Sequence, residues 1–154
     1  MLDLNKTKMS KVDDFLTKAE EQEIVDAIGK AEKNTSGEIR VHIEKQTSIT
    51  AIERAMEVFR TLNMENTKER NGVIIYVAVK SKQFAIYGDK GINEKVADNF
   101  WNCTKDVMQN HFKNGNFRQG LIDGILNAGE QLQKYFPYAD DDTDELSNEI
   151  SIGE

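Results

Sequence analysis

The chain has 154 residues, 38% of them apolar and 31% charged, enough for one domain with a sizeable core. Its net charge of −7 argues against nucleic acid or an anionic membrane face as the main partner, since both need clustered Lys and Arg. An acidic chain is better suited to attracting cations.

Residues 1–13 are polar and read as a flexible N-terminus without the apolar core of a signal peptide. Thr17 and Glu20 stand at the spacing of a capping box. Ile24, Val25, Ile28 and Ala31 follow at helical spacing, so a helix is expected over about 17–33. After Ser36-Gly37, "EIRVHIEK" alternates, with Ile39, Val41 and Ile43 on one face and Glu38, Arg40, His42 and Glu44 on the other. That is a strand. Its polar face would either line a pocket or lie at a sheet edge in water. Thr50 and Glu53 suggest a second capping box, opening a helix with Ile52, Ala55, Met56, Phe59 and Leu62. "NMENTKER" reads as a loop. "NGVIIYVAV" then has the near-continuous apolar character of a strand covered on both faces.

A turn at Lys80-Ser81-Lys82 leads into "QFAIYG" as a hairpin partner. Asn93 is expected to cap a long helix bearing Val96, Phe100, Val107, His111 and Phe112, stopped by "KNGN". Phe100 and Trp101 are expected to cover the sheet. A final helix carries Phe117, Leu121, Ile122, Ile125 and Leu132 and ends before Pro137. Residues 138–154 form an acidic tail of the composition expected of disorder. No stretch is long enough to span a bilayer. The single cysteine, Cys103, leaves no internal disulfide and no Cys-based zinc site, and is expected to be partly buried. A reduced cytoplasmic setting is therefore expected.

The order α-β-α-β-β-α-α implies a mixed sheet with helices on its faces. A crossover makes the first two strands parallel, and the hairpin makes the third antiparallel to the second. The end of the third strand then lies at the same sheet edge as the starts of the other two. That edge collects Glu38, Glu69, Asn71 and Asp89 beside glycines, an oxygen-rich set of the kind calcium or magnesium prefers. Acids and glycines at strand ends are also ordinary turn chemistry. Ligands in open α/β sheets usually sit at the carboxyl ends of parallel strands, which this edge is not.

Several motifs fail on spacing. "GDKGIN" has neither the GxGxxG pattern nor the GK[ST] ending of a phosphate loop. "DDDTDE" has Glu145 where a calcium loop needs glycine and Ser151 where it needs a bidentate Glu. His111 falls on an apolar stripe and reads as a packed helix-end residue. Asp123 is either an exposed helix position or a further oxygen ligand.

Taken in order, "TSGEIRVHIE", "ERNGVIIYVAVKSKQFAIYGDKGI" and "HFKNGNFRQGLIDGI" resemble the TPM domain family, over roughly residues 14–137. The "NGV" strand opening, the hairpin ending in glycine and the F-x-x-G helix start at Phe117–Gly120 carry the likeness. The resemblance implies an α/β/α sandwich, divalent-cation binding with calcium foremost and magnesium as the alternative, and in some members phosphomonoester hydrolysis. Other members look like assembly or interaction factors. Relatives often carry a secretory segment, a membrane span and a glycine-rich tail that this sequence lacks. The expected site has Asp89, Glu69, Asn71, Glu38 and Asp123 as metal ligands. Asp89 with Lys90 and Arg70 would serve a phosphoryl group on a small substrate or phosphoprotein. The alternative is a non-catalytic calcium-binding module that docks on a protein partner, and neither nucleic acid nor membrane is expected to bind.

Overall fold

Thr17 accepts the backbone N–H of Glu20, and the Glu20 side chain accepts that of Thr17, so the first capping box forms and starts α1 (Lys18–Glu32) in the computed structural model. The structure describes residues 15–138 and 147–153. The flexible stretch expected over 1–13 lies outside them, as does most of the acidic run, residues 139–146. β1 (Glu38–Glu44) follows, then α2 (Ala51–Thr61), which Thr50 caps through the N–H of Glu53. β2 (Gly72–Ala78) and β3 (Gln83–Gly88) form the hairpin.

From there the expected single helix is two. α3 (Lys90–Asn93) is one short turn capped by Asp89, and eight residues separate it from α4 (Asn102–Lys113). Asn93 is not a helix start; its Nδ2 reaches back to the Gly88 carbonyl at 3.1 Å. α5 (Phe117–Gln133) completes the helices.

β1 and β2 are parallel, with Glu38 opposite Gly72 and Glu44 opposite Ala78, and β2 and β3 are antiparallel. The expected topology therefore holds. The tail differs. Ser151–Ile152 form β4, parallel to β1 at His42 and Ile43, giving the order β3-β2-β1-β4.

Period-two alternation divides the core between the two faces. Val73, Ile75 and Val77 join Ile39, Val41 and Ile43 beneath α1, α4 and α5. Ile74, Tyr76 and Ala78 pack with Ala55, Val58 and Phe59 of α2 and with Met64. The molecule is thus an α/β/α sandwich around a small mixed sheet, and Trp101 covers the sheet from within the larger cluster. Cys103, expected to be partly buried, is exposed on α4.

Candidate cation site at the sheet edge

Three loops meet where the topology places them. Asp89 N–H donates to the Gly72 carbonyl at 2.9 Å, and Glu38 N–H donates to the Asn71 carbonyl at 3.2 Å, so the two ends of the hairpin and the start of β1 share one edge. Gly91 ties them further, since its N–H donates to the Arg70 carbonyl at 2.9 Å. A Cβ added at residue 91 would lie 2.1 Å from the Glu69 carbonyl oxygen and 2.5 Å from that of Arg70. Only glycine permits that approach. Arg70 itself takes a left-handed backbone, φ 51°, which turns its side chain out of the strand path.

Within the edge the side chains form two hydrogen-bonded sets. In the first, Asp89 is 3% exposed and receives Arg70 in a fork, Nε to Oδ2 at 2.7 Å and Nη2 to Oδ1 at 3.1 Å. Its Oδ1 also accepts the Lys90 N–H at 2.7 Å. Bidentate geometry of this kind is the strong form of a carboxylate–guanidinium pair, and the carboxylate holds the Arg70 guanidinium pKa above its ordinary value. In the second set, Glu69 Oε2 accepts Ser36 Oγ–H at 2.8 Å and Asn71 Nδ2 at 3.4 Å. Asn71 is 1% exposed, and its Oδ1 is a buried acceptor without a hydrogen-bond donor among the described residues. Glu38 is buried at 3% at the same edge.

Among the described residues no group of three or more His, Cys, Asp or Glu side chains is drawn together in metal-holding positions. Glu69 and Asn71 are brought together with Ser36 as an unanticipated third member, the Asn71 amide nitrogen facing Glu69 at 3.4 Å and the Ser36 hydroxyl at 3.3 Å. Asp89 is at the edge but committed to Arg70.

Asp123 does not belong to the edge. Its Oδ2 meets His111 Nε2 at 2.8 Å, and its Oδ1 accepts Gln119 Nε2 at 2.7 Å. A Cβ on Gly37 would lie 2.9 Å from Leu132, so the carboxyl end of α5 is what faces the edge. Asp123 lies nine residues earlier on that helix, roughly 13 Å back along its axis.

A second polar cluster occupies the α2 face of β1, where His42 was expected to line a pocket or face water. It does neither. Glu44, 2% exposed, accepts Arg54 through Nε at 2.8 Å and Nη2 at 3.0 Å, and also the Tyr76 hydroxyl. Burial alone would raise its pKa. Hydrogen bonds from Arg54, Tyr76 and His42 outweigh that and bring it down to about 2. Burial in turn lowers the His42 pKa, against the pull of Glu44. A neutral His42 beside an ionised Glu44 carries its proton on Nε2, 3.0 Å from Oε1, and accepts the Ser151 hydroxyl on Nδ1 at 2.9 Å. Gly153 lies against this pair, where a Cβ would be 2.5 Å from Glu44 Oε1 and 2.8 Å from His42 Nε2. The cluster fastens β4 to β1. The alternating polar face of β1 was the only trace of it in the sequence.

The TPM domain family model matches residues 10–131. The chain belongs to the TPM domain family. Among solved structures, this TPM domain is similar to the BA42 protein of the psychrophilic bacterium Bizionia argentinensis. The two are 61% identical with a TM-score of 0.87, over 94% of this chain and 100% of that one. The N-terminal domain of a protein from P. gingivalis is 19% identical, with a TM-score of 0.65 over 79% of each chain. An N-terminal domain from Corynebacterium glutamicum is 10% identical, with a TM-score of 0.60 over 90% of this chain and 80% of that one. These last two share the fold. No functionally curated protein matches the chain. Among the described residues no helix is long and apolar enough to cross a membrane.

Proposed function

We propose that this TPM domain binds a divalent cation, calcium or magnesium in its place, at the corner built by Glu69, Asn71 and Ser36. The observation that carries this is the buried, undonated Oδ1 of Asn71, on an amide whose Nδ2 faces Glu69 and Ser36; a turn of that amide end for end brings Oδ1 into the corner beside them. A buried acceptor left without a donor is costly, and an oxygen-only donor set suits a hard cation. Glu69 supplies the charge, while Asp89 acts through Arg70 by fixing the guanidinium at the rim.

The hydrolytic reading of the same edge is favoured by Arg70 and Lys90, neighbours of Asp89 whose side chains remain open to solvent. They are placed to orient phosphoryl oxygens of a small phosphomonoester or phosphoprotein. The cation, when bound, would neutralise phosphate charge and acidify a water. The non-catalytic, protein-docking reading is favoured by Asp89, whose two oxygens are both engaged by Arg70 and which therefore offers no free base.

Titration of the protein with calcium and with magnesium, followed by NMR, tests the site. Shifts should concentrate at residues 69–72 and 88–91, and Asn71→Ala should weaken binding about tenfold or more, roughly 1.4 kcal/mol. An unperturbed edge at saturating metal would overturn the cation site. Turnover of an aryl phosphate that needs the metal, stops with chelator and falls in Arg70→Ala supports hydrolysis. No turnover with any metal leaves the docking reading.

A further inference from the structure

A cleft of about 460 Å³ opens at the opposite end of β2, where Val77 and Ala78 finish the strand. That volume lies within the range of small-molecule sites. The carboxyl end of parallel strands is also where open α/β sheets most often take ligands.

Its walls are aromatic. Phe15 and Phe117 stand 4.5 Å apart between ring centroids, Phe117 and Phe112 5.6 Å, and Phe112 and Phe84 5.2 Å, so four rings make one continuous apolar surface. Phe117 remains 36% exposed. Lys82 and Lys113 also line the cleft. Neither ammonium has an ion-pair partner among the described residues, in a chain whose net charge is −7. Lys82 holds φ 53°, a backbone that glycine or asparagine adopts more readily. The turn thus places a cation, at a conformational cost, beside an aromatic recess.

An apolar recess bordered by two cations that no described residue pairs is complementary to a molecule with an apolar body and one anionic end. We propose that this cleft binds an amphiphilic carboxylate, its chain or ring against the four phenylalanines and its carboxylate at Lys82 and Lys113. The site is separate from the sheet edge, and its occupancy requires no metal.

Decanoate titrated into the full chain, followed by amide NMR, is the test. Saturable shifts are expected at Phe84, Phe112, Lys113 and Phe117. The Lys82→Gln/Lys113→Gln double variant should weaken decanoate binding about tenfold, the scale of two solvent-side charge contacts. Lys105→Gln, an exposed change on α4, should leave it unchanged, and decanol should bind the original protein more weakly than decanoate. Because both lysines are exposed, the double variant's spectrum outside the cleft should match the original. Shifts scattered over the surface without saturation, equal binding of decanoate to the double variant, or contacts from Leu2 or Leu4 to Phe84 or Phe112 in the free protein would each overturn the proposal. The last would mean that the chain's own N-terminal segment fills the cleft.

Discussion

Glu44 is the residue whose titration should govern acid stability. Its carboxyl pKa falls from an ordinary 4.5 to about 2 in the fold. The stabilisation is therefore complete above about pH 4.5 and is lost as pH drops toward 2. By linkage it amounts to roughly 3 kcal/mol. His42 adds in the same direction, because burial holds it neutral while the unfolded chain protonates near its ordinary 6.5, so stability declines as pH falls below that value. Denaturant melts from pH 8 to pH 2 should show both limbs. Glu44→Gln should flatten the lower one and cost about 3 kcal/mol at neutral pH, since Arg54 loses its buried partner. A Glu44→Gln curve that keeps the full loss between pH 4.5 and 2 would contradict this assignment. At this scale the sequence was informative about place and weak about pairing. Strand order puts Asp89, Glu69 and Asn71 at one edge, but periodicity does not say that the fork of Arg70 claims both oxygens of Asp89. That depends on the left-handed turn at Arg70, a conformation that no local residue pattern announces.

Among the elements, β4 and α3 departed most from expectation, for different reasons. Composition marks residues 138–154 as a solvated tail because acidic residues dominate, and the three-residue "ISI" is too short to show a period. What places it is long-range, namely Ser151 on His42 and Gly153 N–H on the Ile43 carbonyl at 2.8 Å. Asn93 and Asp89 are both plausible caps by residue type. Asp89 takes the role because its carboxylate already stands at the strand end facing the Lys90 N–H. Helix α1, the hairpin and the parallel pair were legible because each has a local signal, a capping box, a tight turn or a β-branched run. Removing residues 147–154 should uncover His42, and its pKa should rise toward 6.5 as burial is relieved. Imidazole shifts followed against pH report this directly. The same truncation should cost about 1–2 kcal/mol by urea denaturation, and an unmoved His42 titration would show that β4 does not cover it.

For the molecule as a whole, cation binding at the edge should read out as stability, because the site joins loops from both ends of the hairpin to the start of β1. Calcium at about a hundred times its dissociation constant should add roughly 2.7 kcal/mol. In a chain of this size that raises Tm by about 5–10 °C. Chelator should reverse the gain, and Asn71→Ala, by its roughly tenfold loss of affinity, should cut it to about 1.4 kcal/mol at the same calcium concentration, both measurable by thermal melting. A gain undiminished in Asn71→Ala would place the ion elsewhere. The layered architecture was the most readable property of all, because the alternation of Val73, Ile75 and Val77 with Ile74, Tyr76 and Ala78 assigns each residue to one of two cores.

β1 ends up with its outward row of main-chain groups occupied by two unlike devices. The Glu32 carboxylate takes the Ile39 N–H at 2.9 Å, and Ser151–Ile152 pair with His42 and Ile43. Strand borders left bare invite another copy to add on and propagate. A short parallel strand at one half and a borrowed carboxylate at the other leave no long template for that. On that side of the sheet, the contacts that order β1 are therefore also the ones that guard it against edge-to-edge pairing.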